Sequence, residues 1–306
     1  MSAIRLPNFF ILGAGRSGTT TLYNVLKDHP RVFLPTPKEP TFFSAPFQVV
    51  RDPIRYASLF EDATDATAIG DASHAYLSHP GAARTLRAFF PDARFVVTFR
   101  NPADRALAMY SYMLENGYEP LPTFERALAA EERRFTSAHF AKTCPHYFWN
   151  FMYYRSGRFG EQIERYYEEY PRDRFFFTTL YDLQVRTQEV FDGLTAFLGI
   201  EPLTIGTLPR YGSSKGVRFI PAQLFERTVL RPLARRHVPL TATTRDRLNR
   251  WNRGTPPTMR PETHAALVER YRPDLARLAE LTGIDVLAVQ AATGQARGSG
   301  SPTTRP

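Results

Sequence analysis

The chain has 306 residues, of which 43% are hydrophobic and 23% charged, a composition typical of one large or two small globular domains and not of a disordered chain. Its formal net charge of +9 favours an anionic partner without deciding between a phosphorylated cofactor, an acidic glycan, nucleic acid and a membrane surface. A single cysteine, Cys144, excludes an intramolecular disulfide, and the lack of a membrane-length apolar run or a secretory-signal pattern leads us to predict a cytoplasmic protein.

The first predicted element is a buried strand that breaks into a glycine-rich turn. The apolar run from Phe9 to Gly13 predicts the strand, and the residues after the turn predict a helix. A strand, a tight turn and a helix N-terminus in this order place several backbone N–H groups around one point, where the helix dipole also favours negative charge. We therefore predict a binding site for a phosphate-like anion, formed by Gly15, Arg16, Ser17, Gly18, Thr19 and Thr20.

The turn lacks the lysine of a nucleotide-binding P-loop. Its spacing from Gly13 to Gly18 fits such a loop, but Thr19 stands where the lysine is needed. The nearest cation is Arg16, whose planar guanidinium suits phosphate or sulfate oxygens. We interpret the turn as an anion cradle, and a magnesium-dependent kinase or NTPase with a displaced cation is the alternative. A purely structural turn is disfavoured by the run of anion donors from Arg16 to Thr20.

Helices and strands are predicted to alternate along the rest of the chain. Leu22, Val25 and Leu26 predict a helix after the loop, and the three prolines within 35–40 predict an extended path for 35–43. The other predicted elements are strands over 32–34, 68–70, 94–100 and 174–180, a helix from Pro102, a helix over 159–170 and closing helices over 263–289. This alternation predicts an α/β fold, a three-layer sandwich with a central parallel sheet flanked by helices.

Residues 1–294 are predicted to form one domain, followed by a disordered tail over 295–306. Within the domain, 121–154 is interpreted as a helical, aromatic-rich insertion that forms either a small core of its own or a lid facing the acceptor. The basic stretch 227–237 supports a further alternative, a non-catalytic protein that binds nucleic acid or a membrane surface. No nucleic-acid-binding motif accompanies that stretch, so we predict no nucleic-acid partner.

Four segments of the chain together resemble the sulfotransferases that use 3′-phosphoadenosine 5′-phosphosulfate (PAPS). The resemblance extends from Phe9 to about Val289, and the segments that carry it are 15–20, 100–106, 181–183 and 214–218. It implies a P-loop-type fold, transfer of a sulfuryl group from PAPS to an acceptor, and release of adenosine 3′,5′-bisphosphate (PAP). It implies no requirement for a metal.

The resemblance also implies which residues bind the donor. The loop 15–20 would wrap the 5′-phosphosulfate, with Arg16 stabilising the charge that develops on the leaving phosphate. Arg100 would hold the 3′-phosphate, although Ala108 stands where the family usually places a serine for that phosphate. The residues that would close over the same phosphate are Lys215, Gly216 and Arg218.

The predicted catalytic base is Glu39. The segment 39–43, a glutamate shortly before a Phe-Phe pair, resembles the branch that acts on carbohydrates such as heparan, in which the glutamate is the base. In the steroid and phenol branch the arrangement is centred on a histidine, for which His74 or His79 is the candidate. Ala72 stands where heparan-acting members carry a lysine. The acceptor is therefore left as a hydroxyl or amine of a carbohydrate, a lipid or a small natural product.

Overall fold

The computed structural model describes residues 5–45, 47–206, 216–236 and 241–289. Its contacts divide the chain into two compact units, which are described separately. The first unit consists of Met1–Asn101, Arg158–Pro209 and Tyr271–Pro306, and the second of Pro102–Gly157 and Arg210–Arg270. The single domain of 1–294 stays a prediction, and the predicted disordered tail 295–306 lies outside the described residues.

The described residues alternate between helices and strands. The strands are β1 Phe9–Gly13, β2 Val32–Phe33, β3 Ala68–Ala72, β4 Arg94–Phe99, β5 Phe175–Thr179, β6 Gly216–Val217 and β7 Arg253–Gly254. The α-helices are α1 Thr19–Lys27, α2 Pro53–Ser58, α3 Ala75–Ser78, α4 Ala82–Phe89, α5 Pro102–Glu115, α6 Phe124–Ala129, α7 Glu131–Thr136, α8 Ala138–Thr143, α9 Phe159–Tyr167, α10 Leu180–Val185, α11 Thr187–Leu198, α12 Ile220–Phe225, α13 Arg231–Arg235, α14 Thr241–Trp251 and α15 Pro261–Thr282. Short 3₁₀ turns cover Phe148–Phe151, Arg155–Gly157 and Arg172–Arg174, and a π-helical turn covers Glu226–Leu230.

The first unit is built on a five-stranded parallel sheet in the order β2-β3-β1-β4-β5. Every residue of β1 is buried, as expected for the central strand of a parallel sheet covered by helices. Side chains of β1, α1 and α11 form one apolar cluster, which includes Phe9, Ile11, Leu22, Leu26 and Phe191. The predicted α/β fold with a central parallel sheet is confirmed.

Most predicted elements of the first unit are confirmed, with small differences at their ends. The strand predicted over 68–70 continues to Ala72, because Ile11 of β1 pairs with that residue. The predicted helix over 159–170 ends at Tyr167. No helix or strand occupies 35–43, as the three prolines predict. This irregular segment leaves the sheet and returns to the end of β3, where it forms part of the site described below.

The second unit contains the helical stretch predicted over 121–154, which forms α6, α7, α8 and one 3₁₀ turn. Its centre is a buried ion pair in which the Glu119 carboxylate accepts two hydrogen bonds from the Arg134 guanidinium, both 2.7 Å long. The Tyr153 hydroxyl donates a third bond of 2.7 Å to the same carboxylate. Tyr147 and Phe151 are also buried. These contacts pack the stretch together, and its role as a small core or as a lid facing the acceptor stays a prediction.

Candidate active site

The candidate site lies at the carboxyl ends of three neighbouring strands. β1 ends in the glycine-rich loop, β3 runs into Ser73 and His74, and β4 is followed by Arg100. β1 lies between β3 and β4. The strand order reverses at β1, because β2 and β3 lie on one side of it and β4 and β5 on the other. In parallel α/β sheets, ligands bind in the crevice that such a reversal leaves outside the carboxyl ends of the strands.

The loop after β1 is held in shape by β4 and by one obligatory glycine. The Ala14 N–H donates to the Thr98 carbonyl at 2.8 Å, and the Thr98 hydroxyl donates to the Ser17 carbonyl at 2.8 Å. Gly18 has a φ of 104°, and a Cβ there would meet the Leu183 side chain at 3.0 Å. Only glycine adopts this conformation without strain in so little space. Gly18 therefore determines the conformation of the turn that precedes α1.

The loop has the features of an anion-binding site. α1 begins at Thr19, and its N-terminus has no hydrogen bond from a capping side chain. Ser17 is fully buried, and its hydroxyl oxygen has no hydrogen-bond partner among the described residues. An unsatisfied buried hydroxyl is costly unless a ligand completes it. The Arg100 guanidinium approaches the loop and donates to the Arg16 carbonyl at 3.4 Å. These residues therefore fit a phosphate or sulfate group at the N-terminus of α1.

The segment that carries Glu39 is tied to the end of β3. Glu39 and Thr41 have φ values of 69° and 50°, which are uncommon for residues with side chains. The Glu39 N–H donates to the Ala72 carbonyl at 3.2 Å, and the Thr41 N–H donates to the Ser73 hydroxyl at 3.1 Å. These bonds hold the strained backbone in place and direct the Glu39 side chain to the strand ends.

The Glu39 carboxylate is bound on both oxygens. Oε1 accepts from the Lys38 ammonium at 2.5 Å, and Oε2 accepts from the backbone N–H and the Nδ1 of His74, each at 2.8 Å. Burial raises the pKa of this carboxyl, but the charges of His74 and Lys38 and their hydrogen bonds outweigh burial and hold the pKa well below its usual range. Glu39 is therefore an ionised carboxylate at neutral pH.

Of the two histidines that were candidates for the catalytic base, His74 and His79, only His74 contacts Glu39. Its Nε2 is buried and has no hydrogen-bond partner within the described part of the chain. Both ring nitrogens of His79 instead face backbone groups, with Nδ1 accepting from the Gly81 N–H at 3.1 Å and Nε2 bonded to the Ala45 carbonyl. Burial also lowers the pKa of His79. His79 is thus engaged in local backbone structure and His74 belongs to the candidate site.

Lys38 also belongs to this site, a role that was not predicted from the sequence. Its ammonium contacts Glu39 and also donates to the Thr19 hydroxyl at 3.2 Å, at the first residue of α1. Its side chain is only 16% exposed, so the Lys38–Glu39 pair is not an ordinary surface ion pair. The available signal was its position between Pro37 and Pro40, which restricts the local backbone.

A buried carboxyl group supports the Glu39 segment from behind. Asp71 is fully buried and accepts hydrogen bonds from the hydroxyls of Tyr56, Tyr76 and Ser73 at 2.9, 2.7 and 2.6 Å. Burial raises the pKa of Asp71 to about 6, although these three hydrogen bonds act in the opposite direction. Because Ser73 in turn accepts the Thr41 N–H, the network connects Asp71 to the backbone beside Glu39.

The raised pKa of Asp71 predicts a pH-dependent stability. Between about pH 4 and pH 6 the folded state keeps a proton that the unfolded state releases, so the free energy of unfolding falls as the pH rises through that window. Asp71→Asn removes this titration. The free energy of unfolding of the wild type, relative to that of the variant, should fall by up to about 3 kcal/mol between pH 4 and pH 7. Urea unfolding over that range measures the difference, and a difference that stays constant with pH contradicts the prediction.

The remaining predicted donor residues belong to the second unit or lie outside the described residues. Gly216 lies in the antiparallel pair β6–β7, next to which the Arg218 N–H donates to the Asn252 carbonyl at 2.8 Å. The Arg218 side chain is exposed. Lys215 lies outside the described residues. Ser111, near the non-matching Ala108, is buried and donates its hydroxyl to the Leu107 carbonyl at 2.9 Å.

The described residues contain neither a membrane-spanning helix nor a cluster of metal ligands. No helix between residues 5 and 289, apart from the undescribed gaps, combines the length and apolar character of a bilayer span. The same described residues contain no group of three or more histidine, cysteine, aspartate or glutamate side chains that could hold a metal ion.

The parallel sheet and the loop after β1 define a P-loop-type α/β protein. The family model of the sulfotransferase domain matches residues 6–209, well over half of the chain. The chain therefore belongs to the sulfotransferase family.

Relatives and solved structures agree with this assignment. The bifunctional heparan sulfate N-deacetylase/N-sulfotransferase 1 of Caenorhabditis elegans is 23% identical over 217 residues, which is 69% of this chain and 24% of that protein. The human heparan sulfate glucosamine 3-O-sulfotransferase 6 is 33% identical over 125 residues, which is 41% of this chain and 35% of that protein. The chain thus spans about a quarter to a third of the length of these curated relatives.

Two sulfotransferase structures share the fold. The crystal structure of a sulfotransferase from Alicyclobacillus acidocaldarius is 26% identical, with a TM-score of 0.69, and the match covers 94% of this chain and all of that one. Mouse sulfotransferase SULT7A1, solved in complex with PAP, is 14% identical with a TM-score of 0.51 over 94% of this chain and 89% of that one. The second likeness shows the fold alone.

Proposed function

We propose that the protein transfers a sulfuryl group from PAPS to a hydroxyl or amine, with Glu39 as the general base. The observation that carries the proposal is the meeting of two kinds of group at one sheet edge. A loop with a buried, unsatisfied Ser17 hydroxyl can hold an anion, and the Glu39 carboxylate is linked to the first residue of α1 through Lys38. Sulfuryl transfer needs an anion cradle and a base side by side.

The donor is proposed to bind with its phosphosulfate end at the loop. The α1 backbone N–H groups, Arg16 and Ser17 would hold that end, with Thr19 and Thr20 at its rim, and PAPS would supply a sulfuryl group on a phosphate leaving group. Arg100 would contribute a second guanidinium. The resemblance of the sequence to PAPS-dependent sulfotransferases assigns Lys215, Gly216 and Arg218 to the 3′-phosphate, and these assignments stay predictions.

In the proposed reaction the acceptor atom attacks sulfur in line with the leaving oxygen. The new acceptor–sulfur bond forms as the bond from sulfur to the 5′-phosphate oxygen breaks, and the electron pair of that bond leaves on PAP. The acceptor proton passes to Glu39, which needs an oxygen within hydrogen-bond reach of the attacking atom. Arg16 stabilises the negative charge that develops on the leaving phosphate.

His74 is the second candidate for the base. Its Nδ1 faces the Glu39 carboxylate while its Nε2 is buried with no partner among the described residues. In the neutral form of the ring that keeps its proton on Nδ1, Nε2 could accept a proton. In that case Glu39 would orient the imidazole and stabilise its charged form. We favour Glu39 because it also contacts Lys38, which reaches α1. The two assignments differ in what a His74→Asn substitution does.

The acceptor is proposed to be a carbohydrate, a lipid or a small natural product. A carbohydrate acceptor is supported by the similarity to two enzymes named for heparan sulfate. Ala72 departs from the heparan-acting pattern. Screening PAPS against desulfated heparan oligosaccharides, glycolipids and phenols is the direct way to identify the acceptor.

Ligand-induced stabilisation tests the donor assignment without an acceptor. PAP should raise the melting temperature more than AMP or ATP with magnesium, because the ligand that binds most tightly stabilises the folded state most at equal concentration. A ligand at 100 times its dissociation constant adds about 2.7 kcal/mol to the free energy of unfolding. Arg100→Ala should reduce the PAP response. Arg94→Ala is the matched control, because Arg94 lies at the opposite end of β4 from Arg100 and stacks over the Phe197 ring. A larger response to ATP with magnesium would instead favour the kinase or NTPase alternative.

A further inference from the structure

The segment before Glu39 is attached to α1, and this attachment places Lys38. The Tyr23 hydroxyl donates to the Pro35 carbonyl at 2.8 Å, and the Lys27 ammonium bonds the Thr36 hydroxyl. Both Tyr23 and Lys27 belong to α1. The backbone that leads to Lys38 is therefore fixed against the same helix whose N-terminus forms the anion cradle.

The Lys38 ammonium is shared between the two halves of the candidate site. One N–H bond reaches the Thr19 hydroxyl on the donor side at 3.2 Å, and another reaches Glu39 Oε1 on the base side at 2.5 Å. The Lys38 and Glu39 side chains are 16% and 25% exposed, so solvent screens their charges only in part. An anion bound beside Thr19 would compete with Glu39 for this ammonium.

Resting on the proposed function, we infer that Lys38 is a further catalytic residue, which moves from Glu39 to the sulfonate oxygens of the donor when the donor binds. The ammonium then neutralises the group being transferred, and Glu39 Oε1 becomes available for the acceptor proton. Lys38 keeps its own proton throughout. The residue thereby makes the base available only when a sulfuryl donor is in place.

The charges around Glu39 agree with this role. Two of the groups that lower the pKa of its carboxyl are Lys38 and His74. When Lys38 turns to the donor, one of these two charges is withdrawn and the carboxylate becomes a stronger base. His74 keeps its two contacts with Oε2, so the carboxylate stays oriented. A purely structural Lys38–Glu39 ion pair would instead be indifferent to the donor's sulfonate.

The test compares the binding of PAP, which lacks the sulfonate, with that of PAPS, which carries it. Isothermal titration calorimetry on the full chain gives both dissociation constants. Lys38→Met should weaken PAPS about tenfold or more and leave PAP unchanged, since a hydrogen bond to a charged group is worth about 1.5–3 kcal/mol. Lys142→Met is the matched control for loss of a lysine, because Lys142 is exposed on α8, and it should change neither constant.

A double-mutant cycle tests the sharing of Lys38 directly. Glu39→Gln removes the competing carboxylate, so it should tighten PAPS severalfold in the wild-type background and have no effect on PAPS in the Lys38→Met background. Equal weakening of PAP and PAPS by Lys38→Met, or no change in either, overturns the inference while the donor assignment stands. Failure of the wild-type chain to bind PAP overturns the proposed function and, with it, the inference. PAP binding by Lys38→Met also serves as the check that the variant is folded.

Discussion

Glu39→Gln should lower turnover by about 10²–10⁴-fold, the range expected for loss of a general base, while PAP still binds. The substitution keeps the size of the side chain and removes the carboxylate that Lys38 and His74 surround. Turnover is measured as transfer of radiolabelled sulfate from PAPS to whichever desulfated heparan oligosaccharide, glycolipid or phenol the wild type uses. Turnover within a few fold of the wild type would show that Glu39 is not the base.

His74→Asn separates the two candidate bases. The asparagine amide can donate to Glu39 from nearly the position of Nδ1, but it has no counterpart of Nε2. If Glu39 is the base, the variant should keep most of its turnover. A loss as large as that of Glu39→Gln would instead assign the base to His74 and leave Glu39 to orient it. His79→Gln is the histidine control, since the ring nitrogens of His79 face the Gly81 and Ala45 backbone.

Arg16→Ala should lower turnover by about 10²–10³-fold and also weaken PAP, because the loop would lose its cation at the point where charge develops on the leaving phosphate. Arg16→Lys should recover only part of this loss, since an ammonium cannot reproduce the bidentate contact of a guanidinium. The measurements are sulfate transfer and the PAP-induced shift in melting temperature.

Arg31→Ala is the control for loss of a positive charge from the first unit, because the Arg31 guanidinium bonds the Thr67 hydroxyl. It should leave both readouts unchanged. Turnover by Arg16→Ala close to that of the wild type would remove Arg16 from the proposed mechanism and leave the backbone N–H groups of α1 as the stabilising donors.

The fold was predictable because its signals are local. An apolar run followed by glycines and then by helical spacing is read directly from Phe9 to Leu26, and this is the unit that forms β1, the loop and α1. The apolar run from Phe95 to Phe99 similarly marks a central strand. The alternation of such segments is enough to predict a parallel sheet. The strand order β2-β3-β1-β4-β5 cannot be predicted in this way, because it depends on contacts between segments that are distant in sequence.

The arrangement of the site was only partly predictable, because it depends on an irregular segment. Glu39 was recognised by its resemblance to a family motif, but its φ of 69° has no signal in the neighbouring residues. That backbone turn is what brings Lys38 to Thr19 and Glu39 to His74. Contacts of this kind join residues that are distant in sequence, so no pattern of spacing predicts them.

The all-parallel sheet also governs the order in which a newly made chain can assemble. β1 is synthesised before both of its neighbours, because Phe9 pairs with Gly70 on one side and with Arg94 on the other. The apolar strand therefore stays unpaired until both partners have been made. Parallel pairings of this span are slow to form and expose hydrophobic segments in the meantime. A nascent chain that stops short of β4 leaves one edge of β1 open and lacks Thr98, whose hydroxyl and carbonyl hold the loop. The anion cradle after β1 is therefore completed only after β4 has been synthesised.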